Sequence, residues 1–154
     1  MKRPNILFIM ADQMAAPLLP LHDANSPIKV PNLQRLAAEG VLFDSAYCNS
    51  PLCAPSRFTL VSGQLPSQIG AYDNAADFPA DVPTYAHYLR RLGYRTALSG
   101  KMHFCGPDQL HGYAERLVNG PLVDLADDLE NAVIQIANFN NAGAKQSTDV
   151  SQTT

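Results

Sequence analysis

From Asn5 to Ala11 the chain is a nearly continuous apolar run, the pattern of a strand covered on both faces. A helical pattern follows. Pro31 takes the position favoured at a helix start, Leu33, Leu36 and Ala37 share one face, and Gly40 is placed to stop it. Val41 to Tyr47 reads as a strand. Pro55 opens a second helix that Gly63 terminates. A third helix spans Pro83 to Leu92, with Tyr85, Tyr88, Leu89 and Leu92 on one side and Gly93 at its end. Tyr94 to Ser99 returns as a strand. Strands alternating with helices predict an α/β fold with a mainly parallel sheet flanked by helices. Ligand sites in such sheets lie beyond the carboxyl ends of the strands.

The last part of the chain is different. Pro121 to Phe139 fits an amphipathic helix, with Leu122, Leu125, Leu129 and Ile136 near one face. From Asn140 onward Asn, Ala, Gly, Ser, Thr and Gln dominate, a composition expected to be disordered. This part reads as a tail separate from the folded portion.

Composition narrows the partners. At 154 residues and 46% hydrophobic content, the chain has the material for one domain with a core. A net charge of −3 with scattered basic residues argues against nucleic acid. The apolar run before Asp12 is too short for a secretory signal or a membrane span, so no membrane partner is expected. Cys48, Cys53 and Cys105 cannot all pair with one another, which suits a reducing, cytoplasmic setting. Self-association into a homo-oligomer is left open.

Three segments carry candidate chemistry. Asp12 and Gln13 put hard oxygen donors at a strand end, suited to Ca²⁺ or Mg²⁺, although a loop acid and amide satisfying a turn is the plainer alternative. Cys53 stands at a helix start, where amides and the helix dipole favour an anion; Arg57 lies one turn on. Only three residues separate the two, which excludes the C-x5-R loop of cysteine phosphatases. Lys101 and His103 alternate on a segment expected to be extended, so their side chains would point the same way. Asn74 is open between a donor to an anion and a turn residue.

Cys53-Ala54-Pro55-Ser56-Arg57 reads C-x-P-S-R, and with its flanks it resembles the sulfatase family, close to its choline sulfatases. The flanking matches are Asn5 to Gln13, Pro31 to Gly40, Tyr47 to Leu52, Tyr72 to Ala75, Gly100 to His103 and Gly106 to Gly112. The resemblance implies the amino-terminal portion of an alkaline-phosphatase-like fold over residues 1–117, with 118–154 as a tail outside it. It implies that Cys53 is oxidised by a maturation enzyme to formylglycine, whose hydrate attacks sulfur through one hydroxyl and expels sulfate through the other. Cys53, Arg57, Lys101 and His103 are then expected to be catalytic and Asn74 to bind substrate. Asp12, Gln13 and the modified Cys53 would ligate a divalent cation, calcium before Mg²⁺ or Mn²⁺. The substrate would be a small sulfate ester, choline sulfate first, with aryl sulfates or phosphonate monoesters as alternatives. Members complete the site with a later acid–amide pair and a further histidine. No Asp-Asn or Asp-His pair follows Leu117 here and no histidine follows His111. The chain is accordingly expected to be a partial product, weakly active or inactive alone, with a non-enzymatic remnant as the remaining alternative.

Overall fold

The computed structural model describes residues 3–119 and 132–138. Strand β1 (Ile6–Ala11) leads through a short 3-10 turn, Ala16–Leu18, to helix α1 (Pro31–Glu39). Helices α2 (Cys53–Ser62), α3 (Pro66–Ile69) and α4 (Tyr85–Arg91) follow. Strands β2 (Arg95–Gly100), β3 (Glu115–Asn119) and β4 (Ala132–Asn138) complete a four-stranded sheet in the order β1-β4-β2-β3.

β2 pairs parallel with β3, and β4 lies antiparallel between β1 and β2. β1, β2 and β3 therefore point the same way, which puts the ends of β1 and β2 on one edge. The expectation of a mainly parallel sheet flanked by helices describes these three strands. β4 is a correction: residues 132–138 were expected to continue a helix from Pro121, and they form a strand. Val133, Ile134 and Ile136 are β-branched, and neighbours on both sides supply the ladder. Residues 121–131 and the expected disordered stretch from Asn140 lie outside the described residues.

The helix stops fall where the glycines predict. Gly63 ends α2 in left-handed backbone (φ 71°) with its N–H on Thr59 O, and Gly40 follows α1. α4 begins two residues later than Pro83, at Tyr85, because Thr84 is its N-cap; the Thr84 N–H donates to His87 Nδ1 (3.0 Å).

The core is built by residues after position 52. On α2, Ala54, Phe58 and Val61 form the buried stripe at i, i+4 and i+7. Phe58 stacks on Phe78 with ring centroids 4.4 Å apart, and Phe104 and the buried His111 close around Phe78 at 5.7 and 4.2 Å. Leu98 of β2, Ala86 of α4, Met102 and Tyr113 complete the cluster.

Three expectations about the amino-terminal part need correcting. β1 forms, but Ile6, Leu7, Phe8 and Ile9 are all exposed, and only Met10 packs against the core among the described residues. α1 buries none of its residues, and Leu36 is 67% exposed. Val41 to Tyr47 forms no strand: no neighbouring strand pairs with it among the described residues, and β propensity without a partner does not make a ladder. Between residues 3 and 52 only Leu19 is buried.

This asymmetry predicts where mutations are felt. Phe58→Ala should cost about 3–5 kcal/mol through lost transfer energy and a cavity, while Leu36→Ala should stay within about 0.5 kcal/mol. Urea unfolding of both variants measures the difference, and equal midpoints would contradict the assigned core.

Candidate active site

β1 and β2 deliver Asp12 and Lys101 to the same sheet edge, and α2 begins there with Cys53. Gln13, in the turn after β1, and His103, three residues after β2, adopt left-handed backbone, φ 51° and 55°. Each costs a non-glycine residue roughly 1–3 kcal/mol and persists only where surrounding contacts enforce it. His103 in this conformation corrects the expected extended alternation with Lys101, because left-handed backbone interrupts it.

Asp12 is the hub. Its Oδ1 accepts from Arg57 Nη2 at 3.0 Å and its Oδ2 from Lys101 Nζ at 2.8 Å. Arg57 is only 4% exposed and also donates through Nη1 to the Lys101 carbonyl at 2.7 Å. The Lys101 ammonium stands 4.0 Å from Cys53 Sγ. Burial alone would raise the Asp12 pKa. The Lys101 hydrogen bond, the Arg57 and Lys101 charges and the Arg57 hydrogen bond outweigh it and hold the carboxyl below its usual range.

The second layer runs through Asn74. Its side-chain Oδ1 accepts the Ala54 N–H at 3.0 Å, a helix-capping bond made by a residue distant in sequence. That fixes the amide so that Nδ2 is the remaining donor. The Asn74 carbonyl takes the Cys105 thiol at 3.6 Å, and Phe78 N–H donates to Cys105 O at 3.1 Å. The loop at 74–78 is thereby tied to the segment after β2. His103 has a buried Nδ1 with no hydrogen-bond partner among the described residues. Burial first, and then the Lys101 charge, lower its pKa, against an opposing hydrogen bond with the Asn74 backbone. These effects favour the neutral imidazole.

The structure therefore joins Asp12, Cys53, Arg57 and Lys101 directly and links Asn74 and His103 to them. Gln13 stays outside: it is exposed, and no hydrogen bond among the described residues joins its amide to the cluster. The Asp12 carboxylate and Gln13 amide are hard oxygen donors of the kind a calcium-like cation takes. Six to eight oxygens are needed, however, and no group of three or more His, Cys, Asp or Glu gathers among the described residues.

Sequence reasoning missed that Arg57 is buried and paired with Asp12. The signal was present: Ala54, Arg57, Phe58 and Val61 follow the i, i+3, i+4, i+7 stripe, which places the guanidinium on the core-facing side. A charge there requires an acid. Met102, fully buried with Sδ 4.0 Å from Arg57 Nη1, was also missed.

The profile of one protein family, described as Sulfatase, matches residues 4–131. Choline-sulfatase of Rhizobium meliloti (strain 1021) is 56% identical over 115 residues, 75% of this chain and 22% of that protein. N-acetylglucosamine-6-O-sulfatase of Bacteroides thetaiotaomicron is 37% identical over 108 residues, 70% and 19% of the two chains. A solved structure in complex with its substrate D-glucosamine-2-N,6-O-disulfate superposes with a TM-score of 0.67 at 32% identity, covering 75% of this chain and 23% of that one. The chain spans about a fifth of the length of the curated relatives it matches.

Asp12→Ala should destabilise the fold by about 3 kcal/mol, since it strands a buried guanidinium that keeps only a carbonyl. Lys101→Met, removing a partly exposed partner, should cost about 1 kcal/mol or less. Because the Asp12 pKa is depressed on folding, its contribution is present above the unfolded carboxyl pKa and fades as pH falls through the folded value. Urea titrations from neutral to acid pH should show wild type losing this increment while Asp12→Ala does not. Parallel pH profiles would refute the assignment.

Proposed function

The chain belongs to the sulfatase family, and from that premise we propose that it forms the nucleophile-bearing part of a sulfuric ester hydrolase acting on choline sulfate. The observation that carries this reading is the placement of two cations, Lys101 and Arg57, on one carboxylate beside Cys53. One acid against two bases leaves net positive charge where an anionic ester would sit. The amino end of the ten-residue α2 adds to it. The 56% identity to a choline-sulfatase supports choline sulfate over aryl sulfates or phosphonate monoesters.

In this proposal Lys101 neutralises a sulfuryl oxygen as charge develops, with Arg57 contributing from its fixed position on Asp12. Asn74 donates through Nδ2 to sulfate. His103, whose Nδ1 has no hydrogen-bond partner among the described residues, takes the proton of the attacking hydroxyl. Sulfatases use formylglycine, and at position 53 it would supply two hydroxyls on one carbon, the first for attack on sulfur and the second for releasing sulfate. Balance requires one water per turnover: the ester and water give alcohol and hydrogen sulfate. Asp12 and Gln13 would hold one side of a divalent cation, calcium by resemblance, which would supply Lewis acidity and orientation. The cytoplasmic assignment rests on three cysteines that are all unpaired. No helix among the described residues is long and apolar enough to cross a membrane.

Co-production with an oxidative maturation enzyme should convert Cys53 to the aldehyde or its hydrate, read by peptide mass spectrometry. An unmodified thiol under those conditions would remove the formylglycine reading. The modified chain alone should hydrolyse choline sulfate at least a hundredfold more slowly than a complete site, since misplacement by about 1 Å already costs roughly that much. An aryl sulfate, whose phenolate leaves with less protonation, should suffer less. Choline sulfate turnover that survives Cys53→Ala would refute the proposed nucleophile.

Calcium should bind the chain weakly, because Arg57 and Lys101 already occupy both Asp12 oxygens. Calorimetry on wild type and Asp12→Ala tests this, and equal binding would take Asp12 out of the cation site.

A further inference from the structure

Between β2 and β3 the segment 101–109 carries Lys101, His103 and Cys105 but forms no helix or strand. Its shape therefore depends on individual contacts. Met102 and Phe104 are fully buried and anchor it in the core. Gly106 then takes left-handed backbone, φ 100°, in a turn that has no side chain of its own to hold it. One amide spans this turn. Gln109 Nε2 donates to the Phe104 carbonyl and to the Gly106 carbonyl, both at 2.8 Å. Both N–H groups of the amide are thereby used, and Oε1 is left as its acceptor. Arg116 of β3 meets it, with Nη1 at 3.2 Å. The same guanidinium reaches the Gly100 carbonyl, just before Lys101, and the Gln109 carbonyl, at 3.5 Å each. Both ends of the segment are thus gathered on one side chain of the neighbouring strand. Arg116 is half-buried, its Nε has no partner, and no carboxylate pairs with it among the described residues. With no anion to meet, the guanidinium keeps its place through these neutral oxygens, and they keep theirs through it.

We propose that Gln109, braced by Arg116, is a positioning residue for the reaction proposed above, holding His103 and Asn74 in place beside Cys53. This rests on that functional reading. The effect passes along two routes. The Phe104 carbonyl lies one residue beyond His103, so the clamp closes the chain directly after its left-handed backbone. A residue in that conformation persists only where its neighbours enforce it. The Gly106 carbonyl, on the other side of Cys105, is fixed as well. Cys105 O accepts the Phe78 N–H and its thiol donates to Asn74 O, so the loop at 74–78 hangs on the clamped turn. Asn74 in turn accepts the Ala54 N–H, next to Cys53. One amide outside the site therefore sets the place of two groups within it. A shift of about 1 Å in such groups costs roughly a hundredfold in rate.

Amide exchange and imidazole titration by NMR test this on the full chain, without any turnover. Gln109→Met removes the amide at nearly constant length. Exchange of the Phe78 and Ala54 N–H groups should become about tenfold faster, the worth of one hydrogen bond. The Gly63 N–H, at the far end of α2, should be unchanged. The His103 midpoint, held down by burial and by Lys101, should move up toward the ordinary imidazole range. Gln109→Glu keeps an acceptor for Arg116 but loses both donors, so it should speed the same two amides. Arg116→Met, which leaves Oε1 unmet, should shift them in the same direction. On the formylglycine-bearing chain, Gln109→Met should lower kcat on an aryl sulfate about tenfold with KM little changed. Acceleration of Gly63 along with the others, or an unmoved His103 midpoint, would make Gln109 a purely structural residue and overturn the proposal. So would wild-type exchange in Gln109→Glu or Arg116→Met, or an unchanged kcat. A wild-type chain without turnover would instead defeat the functional reading, while exchange and titration still decide the clamp.

Discussion

A single carboxylate holds the site edge together. Asp12, at the end of β1, binds the Arg57 guanidinium on α2 and the Lys101 ammonium after β2. The ends of three elements are thereby tied to one side chain. The arrangement is enforced rather than convenient: Arg57 sits in the core-facing stripe of α2, and a guanidinium there would be strongly destabilising without an acid. The left-handed turns at Gln13 and His103 are the backbone cost of bringing the strand ends to that acid. Around Cys53 the result is a rigid, net-positive corner whose components were all ordinary side chains until the fold gathered them.

Much of this was legible in the sequence, and what was not has physical reasons. α1, α2, α4, β1 and β2 follow from periodicity and punctuation by Pro and Gly, because those signals are local. The site segments fell on one sheet edge for the same reason, since strand direction in an α/β chain follows from the alternation of elements. Burial was misjudged at Leu33, Leu36 and most of β1, because an apolar pattern reports what a segment needs and not what its surroundings supply. The strand at Ala132–Asn138 was read as a helix because Leu122, Leu125 and Leu129 set a helical phase. That phase outweighed the β-branched run of Val133, Ile134 and Ile136. Val41 to Tyr47 shows the reverse error, β-prone residues with no strand to pair against. Asn74 capping α2 from twenty residues away, and the Asp12 ion pairs, are long-range contacts that no local window contains.

The core itself has a compact logic. Phe58, Phe78 and Phe104 come from a helix, a loop and the segment after β2, and His111 lies against the last two. Gly112 is required beside it. A Cβ there would come within 2.5 Å of the His87 ring, and its φ of 92° is one that side chains rarely adopt. The loop carrying Asn74 is therefore pinned on one side by aromatic packing and on the other by Cys105 and Ala54. Rigidity at the candidate site is inherited from the core directly beneath it.

The near absence of burial between residues 3 and 52 also sets the order of events during synthesis. A ribosome releases the amino-terminal half first, at roughly 5–20 residues per second. That half carries β1 and α1 but nothing to pack them on. Its partner Arg57, and the aromatic cluster that makes Arg57's position worth holding, emerge only later. The first fifty residues must wait, apolar and unpaired, for seconds. For this chain, β1 and α1 are made before the residues that Asp12 pairs with and before those that form the core.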